Sequence, residues 1–308
     1  DSYQLICNAL NCVISWLKAE NMLLQDPGGF RTSSGEFVRF RQHANNWKLI
    51  NMSSLVDLIF FSEKRKNLLV QLANGPTDIE EIKEILNVKS CALMPQIKKL
   101  KDMDLIVQKG NVYQLSDIGE VIVEKMLPLK SVLDVFEGNK DYWSKHDRSP
   151  IPKHLIKKID MLGKCNLDEP DLDHLFEFPD YLRDKLSNSK NIKSFYSYFC
   201  PDCPSIQASC AENGAEVHLI LDEKVYNRLK NDFKEEYSVL LKNKVSLYIY
   251  SGKIRPSSFM ITDNFVLLKL FGKDGEFDHR KITSFAPSAI EWGNELAQYY
   301  IDRSTKIN

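Results

Sequence analysis

Glycine is scarce in this chain, with 13 residues scattered through 308. No Walker loop and no dinucleotide fingerprint occurs, which excludes the common nucleotide-cradling classes. No Ser-His-Asp order of a hydrolase is present either. Cysteine is sparse at 7 residues, which argues against a disulfide scaffold and for a reducing, cytoplasmic setting. Long apolar runs are missing. The stretch Leu55 to Phe61 is too short to cross a bilayer, and no secretory signal is evident, so no membrane partner is expected. Nor does one charge dominate: 41 lysines and arginines face 42 aspartates and glutamates, a formal net charge of −1. A nucleic-acid partner would have to be met by local positive charge rather than by a global field.

What is present reads as an ordinary globular composition, 43% hydrophobic and 27% charged, long enough for two domains. The most informative stretch lies between Thr77 and Leu115. Thr77-Asp78-Ile79-Glu80 has the form of a capping box, with Thr77 as N-cap. Ile79, Ile82, Ile85 and Leu86 then recur at helical spacing. Asn87-Val88-Lys89 reads as a turn, and Ser90 as the N-cap of a second helix with Leu93, Ile97 and Leu100 inward. Pro95 removes one amide donor from that helix. Leu105 to Val107, a Lys109-Gly110-Asn111 turn and Val112 to Leu115 complete a two-stranded ribbon. Helix, turn, helix, hairpin is the order of a winged helix-turn-helix, whose second helix enters the DNA major groove. Ser90, Cys91 and Met94 would then face base edges, with Lys98 at the groove. Lys89, Lys99, Lys101 and Lys109 complete a local cluster of positive charge suited to phosphates.

Around this module the chain divides into four stretches. Residues 1–51 turn from one apolar patch to Gly, Ser, Arg and Asn without sustained period, and are expected to be a disordered or non-native extension ahead of a start at Met52. Residues 52–137 form the winged domain and include a long helix from Ser116-Asp117, kinked at Pro128, that serves as dimer seam or connector. Residues 138–152 are polar and turn-rich and read as a linker. Residues 153–308 alternate strand and helix: Ile192 to Phe199, Glu216 to Leu221 and Val245 to Tyr250 as strands, one long helix from Asp222 to Leu241, a hairpin from Phe259 to Phe271, and a capping box at Ser288 opening the last helix. Strands separated by helices imply a mixed sheet with helices packed on it. The expected fold class is an α+β winged helix-turn-helix followed by an α/β domain.

Leu55-Val56-Asp57-Leu58-Ile59-Phe60-Phe61-Ser62-Glu63-Lys64-Arg65-Lys66, Leu93-Met94-Pro95-Gln96-Ile97-Lys98-Lys99-Leu100, Asp141-Tyr142-Trp143-Ser144-Lys145-His146-Asp147, Glu169-Pro170-Asp171-Leu172-Asp173-His174-Leu175-Phe176-Glu177 and Ala289-Ile290-Glu291-Trp292-Gly293-Asn294-Glu295-Leu296 resemble one family. It comprises archaeal, methanogen-type transcriptional regulators that join a winged helix to the middle domain of the Fil-type methanogenesis regulators. The resemblance covers about five-sixths of the chain. It implies a DNA-binding regulator with a sensory or assembly domain, and names no effector. More distantly, the second domain resembles phospholipase-D-like sensor domains. Where the active enzymes carry His-x-Lys and a later Asp, this chain has Arg255-Pro256-Ser257-Ser258-Phe259-Met260-Ile261-Thr262-Asp263. The nucleophilic His and the Lys are missing, so the domain reads as catalytically degenerate and the chain as no enzyme.

Other clusters have plainer roles open to them. Cys200-Pro201-Asp202-Cys203, with Cys210 and the remote His218, has the form of a redox pair or half a metal site; separate buried thiols are the simpler reading. The acidic run from Asp168 to Glu177 lacks the spacing of a calcium loop. His146-Asp147-Arg148 and Asp278-His279-Arg280 offer anion-binding forks or hydrogen-bonded loops. An effector crevice is expected beyond the carboxyl ends of the parallel strands, with Tyr196 and Tyr198 as walls and Arg255, His279 and Arg280 as cations. No metal or other cofactor is expected. The function that emerges is a sequence-specific, homodimeric regulator that binds double-stranded DNA and senses a small-molecule effector. The alternative is a metal or redox sensor, or a degenerate phospholipase-D-like enzyme that uses its winged helix to bind protein.

Overall fold

The structure, a computed structural model, describes residues 55–170 and 178–307. The expected extension over residues 1–51 and most of the acidic run from Asp168 to Glu177 lie outside the described residues. The chain divides into two units between Glu120 and Val121.

The first unit begins with α1 (Leu55–Phe60) and α2 (Glu63–Leu72). Ser62 opens α2 by accepting the Arg65 amide at 3.4 Å. A two-residue strand β1 (Thr77–Asp78) leads into α3 (Ile79–Ile85). The N-cap of α3 is Asp78, which accepts the Glu80 amide at 2.8 Å, and not Thr77 as the capping-box pattern suggests. Thr77 instead pairs with Tyr113 and donates to the Gly75 carbonyl at 3.0 Å. The turn to α4 (Ser90–Asp102) uses Asn87 at φ 49°, a left-handed conformation that Asn tolerates. Ser90 is the first helical residue and Lys89 the cap position, with no side-chain bond, which corrects the expected Ser90 cap. The helix runs through Pro95, which lies on its exposed side.

Strands β2 (Ile106–Lys109) and β3 (Val112–Leu115) form the expected hairpin, and β1 adds a third strand in the order β1-β3-β2. The small core gathers Leu58, Ile59, Leu68, Leu69, Leu72, Ile82, Leu93, Ile97, Leu100, Leu105, Ile106 and Tyr113, all at most 3% exposed. Helix α5 (Asp117–Gly138) follows, with Ser116 accepting the Gly119 amide at 3.0 Å. A Cβ on Gly119 would stand 2.0 Å from the Leu105 carbonyl oxygen, so only glycine permits this approach. The helix continues through Pro128 without interruption.

The second unit is built on one mixed sheet. After α6 (Lys140–Lys145), α7 (Lys153–Ile156) and a 3-10 turn (Ile159–Leu162) come β4 (Cys165–Asp168), α8 (Asp180–Ser187), β5 (Asn191–Tyr196), α9 (Cys203–Glu212) and β6 (Glu216–Asp222). Then follow α10 (Glu223–Asp232), α11 (Lys234–Lys242), β7 (Ser246–Tyr250), β8 (Ser258–Thr262), β9 (Val266–Lys269), β10 (Lys281–Ser284), α12 (Pro287–Ile301) and β11 (Thr305–Lys306). The strand order is β11-β7-β6-β5-β8-β9-β10-β4. Strands β5, β6 and β7 are parallel and the remaining pairs antiparallel.

Alternation along each strand sends one set of side chains to either face. Phe195, Ile220, Phe259, Ile261 and Leu268 join Trp292 and Tyr300 of α12 on one side. Ile192, Tyr196, Leu219, Leu221, Met260 and Leu267 join Leu182 of α8, Ala208 of α9 and Leu229 of α10 on the other. The fold departs from the sequence pattern in three places. The single long helix expected from Asp222 to Leu241 is two, because Phe233 at φ −127°, ψ 57° breaks it. The stretch expected as a polar linker, 138–152, carries α6, whose Tyr142 and Trp143 lie fully inside the core with Ile151. Two large aromatic rings outweigh the polar composition around them. Ser288 does not cap α12; Ala286 holds that position and Ser288 donates to the Met161 carbonyl at 2.7 Å.

Candidate functional site

Helix α4 buries Leu93, Ile97 and Leu100 and turns the rest of its circumference outward. Lys89, Ser90, Cys91, Met94, Lys98, Lys99 and Lys101 are all exposed, as is Lys109 on the adjoining hairpin. Cys91, Met94 and Lys98 recur at three and four residues and so share a face with Lys101. Met94 is 45% exposed, a large apolar side chain held out in water. Lys101 donates to the Gln108 side chain at 2.8 Å and ties the helix to β2. The helix is held from behind by Arg65, a buried guanidinium that donates to the Leu58 carbonyl and, at 2.8 Å, to Gln96 of α4.

In the second unit a partly open cleft with a cavity volume of about 60 Å³ lies at the end of β5, beside the matching ends of β8, β9 and β10. Tyr196, Tyr198, Phe178, Phe259, Met260 and Leu267 wall it, and Lys269 and Lys281 line it as well. The two lysines are 5% and 6% exposed. Burial, reinforced by the neighbouring Lys281, pushes the Lys269 ammonium down to about 8. Burial lowers Lys281 as well. Among the described residues no carboxylate forms an ion pair with either lysine; Lys269 lies 5.4 Å and 5.2 Å from the ring centres of Tyr198 and Phe277. Asp168, which faces Lys281 in strand register, is occupied by the Tyr181 hydroxyl and, at 2.9 Å, by Thr283. Burial and that carboxylate push the Tyr181 phenol up to about 12.

The residues expected to form one effector crevice are only partly together. Tyr196 and Tyr198 line the cleft. Arg255 does not; it pairs with Asp222 at 3.1 Å. His279 and Arg280 also stand outside it. Arg280 binds Asp278 at 2.7 Å and Asp141 at 2.9 Å, so its guanidinium is already committed to carboxylates. Sequence reasoning missed Lys269 and Lys281. Their signal was a lysine set among apolar strand residues, as in Val266-Leu267-Leu268-Lys269-Leu270.

The two charged triplets meet each other. His146 is buried, stacks on Tyr142 at 3.8 Å and places Nε2 3.0 Å from Asp278. At that distance the two form an ion pair when His146 is protonated, and the angle is not that of a hydrogen bond. Arg148 donates to the Trp143 carbonyl. Burial by itself would raise Asp278, but the Arg280 guanidinium overcomes this and holds its carboxyl below the usual range. This network clasps residues 141–148 to the loop before β10 and leaves neither triplet open as an anion fork.

Cys200 and Cys203 form a disulfide at the mouth of the cleft, in place of the separate thiols expected. Cys210 is buried and free, and His218 is held by Glu216 and Tyr248 at 2.9 and 3.1 Å. Among the described residues no three potential ligands gather as a metal site. Asp263, the surviving member of the hydrolase-like stretch, accepts the Lys190 and Asn191 amides at 3.0 and 3.1 Å and so fastens a turn.

Comparison with known proteins adds the ancestry. The N-terminal domain of the methanogenesis regulatory protein FilR1 matches residues 54–136, and its middle domain matches residues 175–303. The chain belongs to the FilR1-type family of methanogenesis regulatory proteins. The FilR1 of Methanothrix harundinacea (strain 6Ac) is 26% identical over 263 residues, which is 84% of this chain and 59% of that protein. The chain thus spans about three-fifths of that relative's length. Among solved structures, the archaeal chromatin protein TrmBL2 aligns with 83% of this chain and 98% of its own at 14% identity and a TM-score of 0.37. The phospholipase D family member Nuc of Salmonella typhimurium aligns with 47% of this chain and 99% of its own at 16% identity and a TM-score of 0.35. Both likenesses are too slight to carry function. The FilR1 middle domain takes in α8 to α12, and hence the whole cleft; residues 137–174, with Tyr142, Trp143 and His146, lie between the two matched domains.

Proposed function

We propose that the protein is a transcriptional regulator that binds double-stranded DNA through its first unit and senses a small-molecule effector through its second. The first unit is read as a winged helix-turn-helix, with α3 and α4 as the helix pair and the β2–β3 hairpin as the wing. The observation that carries the reading is the outward face of α4. Small or apolar side chains, Ser90, Cys91 and Met94, stand where base edges would be met, and Lys98, Lys99 and Lys101 follow them, with Lys89 and Lys109 to either side. Membership of a family named for regulation supports it. Two copies would act together on a two-fold site, and the exposed row Val121, Leu129 and Leu133 on α5 is the apolar surface suited to a second copy.

Fragments selected from a random duplex pool, followed by titration at several salt concentrations, test this. Replacing Lys98 and Lys99 with alanine weakens binding and lowers the log–log salt slope by about 0.9 for each phosphate that is no longer neutralised. An unchanged slope removes these lysines from the interface, and no duplex binding at low salt overturns the reading. Sedimentation of the full chain with Leu129→Glu tests the second copy: a dimer that persists places its seam elsewhere.

A further inference from the structure

Lys269 and Lys281 stand opposite each other. Ile282 pairs with Leu268 and Thr283 with Leu267 in the antiparallel β9–β10 ladder, and one further step sets Lys281 against Lys269. Directly opposed like charges destabilise a sheet, and burying an ammonium without a carboxylate adds to that cost. Both side chains are more than nine-tenths buried and line the same cleft. Among the described residues, the acids nearest the lysines in the sheet are engaged elsewhere, Asp168 by Tyr181 and Thr283, and Asp278 by Arg280; Asp202, which also lines the cleft, is exposed and forms no ion pair with either lysine. Ring faces of Tyr198 and Phe277 near Lys269 offer weak compensation for one ammonium and none for its repulsion by the other. Two cations kept side by side without an ion pair, at the end of a cleft walled by tyrosine, phenylalanine and methionine, suit an anion.

We propose that this cleft binds a small organic phosphate monoester. Lys269 and Lys281 hold the dianionic phosphate, and Tyr196, Tyr198, Phe178 and Met260 hold its organic body. The inference deepens the effector-sensing half of the proposed function and rests on that reading for its regulatory meaning, though not for the site itself. A dianion matches two ammoniums where a single carboxylate leaves one unpaired. The apolar walls select an ester over inorganic phosphate. The downward displacement of Lys269 to about 8 adds a signature: bound phosphate raises it, and binding weakens as the free ammonium loses its proton above that pH.

Calorimetry on the full chain without DNA tests this with inorganic phosphate, phenyl phosphate and succinate at constant ionic strength. Phenyl phosphate is expected to bind once per chain, about tenfold tighter than inorganic phosphate. Lys269→Met and Lys281→Met are each expected to lose at least about tenfold, and wild-type affinity to fall between about pH 7 and 9.5. Both variants remove a buried charge and so melt higher than wild type. Should either fail to fold, Lys269→Arg and Lys269→Gln replace it, with binding retained in the first and lost in the second. No saturable phosphate binding up to roughly 20 mM, unchanged affinity in the charge-removing variants, or tighter binding of succinate than of phenyl phosphate overturns the proposal. Phenyl phosphate that binds as described and leaves operator affinity unchanged removes the effector role but keeps the site. Loss of all DNA binding leaves this measurement untouched.

Discussion

The same side chain does opposite things in the two units. On α4 and its hairpin, lysines stand in water and keep their hydration. On β9 and β10, Lys269 and Lys281 are stripped of water and opposed to each other. An exposed cation is a surface property that a polyanion exploits at little cost to folding. A buried cation without an ion pair is destabilising unless a ligand supplies the missing charge. Arg65 is the informative intermediate: it is buried like Lys269, yet its donors find the Leu58 carbonyl and Gln96.

The contrast is open to test, and the largest expected effect is at Lys269. Because its ammonium titrates near 8 in the fold and near 10.5 when free, the unfolded chain holds more protons between those values, and stability rises with pH across that window. Lys269→Met is therefore stabilising by an upper limit of about 3 kcal/mol at neutral pH, an advantage that shrinks towards about pH 10. Denaturant melts of both proteins from about pH 7 to 10 check it; parallel curves would mean that Lys269 is solvated after all.

Arg65→Ala carries the opposite sign. It removes a buried cation that is satisfied, leaves the Leu58 carbonyl and Gln96 without their donor, and destabilises the first unit by about 2 kcal/mol. A melt showing Arg65→Ala to be neutral would erase the distinction between compensated and uncompensated burial.

The smallest effect on stability belongs to the Lys98→Ala, Lys99→Ala pair. Its melting temperature stays within about a degree of wild type, as for most surface changes, while DNA binding weakens. A marked drop in stability would assign these lysines to the fold rather than to a partner.

Much of the first unit was legible because its signals are local. The three-residue turn at Asn87, the inward positions Leu93, Ile97 and Leu100 and the Gly110 hairpin each depend on a few neighbouring residues. The caps were misplaced by one residue, since Thr77 and Asp78 both satisfy the pattern and strand pairing of Thr77 with Tyr113 decides between them.

In the second unit the parallel strands β5, β6 and β7 could be read from their apolar runs, and Tyr196 and Tyr198 do line one cleft. Strands β4, β10 and β11 escaped notice because β11 has only two residues and Cys165-Asn166-Leu167-Asp168 and Lys281-Ile282-Thr283-Ser284 carry too few apolar residues to stand out as strands. Arg255, His279 and Arg280 looked available because sequence shows a charge without showing its partner. Asp222 reaches Arg255, and Asp141 and Asp278 reach Arg280, only through pairings set by the fold. Cysteine spacing likewise showed that Cys200 and Cys203 were neighbours, and only the turn into α9 brings their sulfurs together.

What the sequence by itself determined is the set of longer elements and their amphipathic faces, since periodicity and turn chemistry act within a few residues. It also determined the outward lysines of α4, because burial of Leu93, Ile97 and Leu100 forces Lys98 and Lys99 to the other side. The sheet order and its register were decided only in three dimensions. That register sets Lys281 opposite Lys269 and sends Asp168 to Tyr181 and Thr283. Two ammoniums then face one cleft with no ion pair among the described residues. A lysine's charge is written in the chain; whether water, an acid or another lysine stands beside it is a matter of which strands become neighbours.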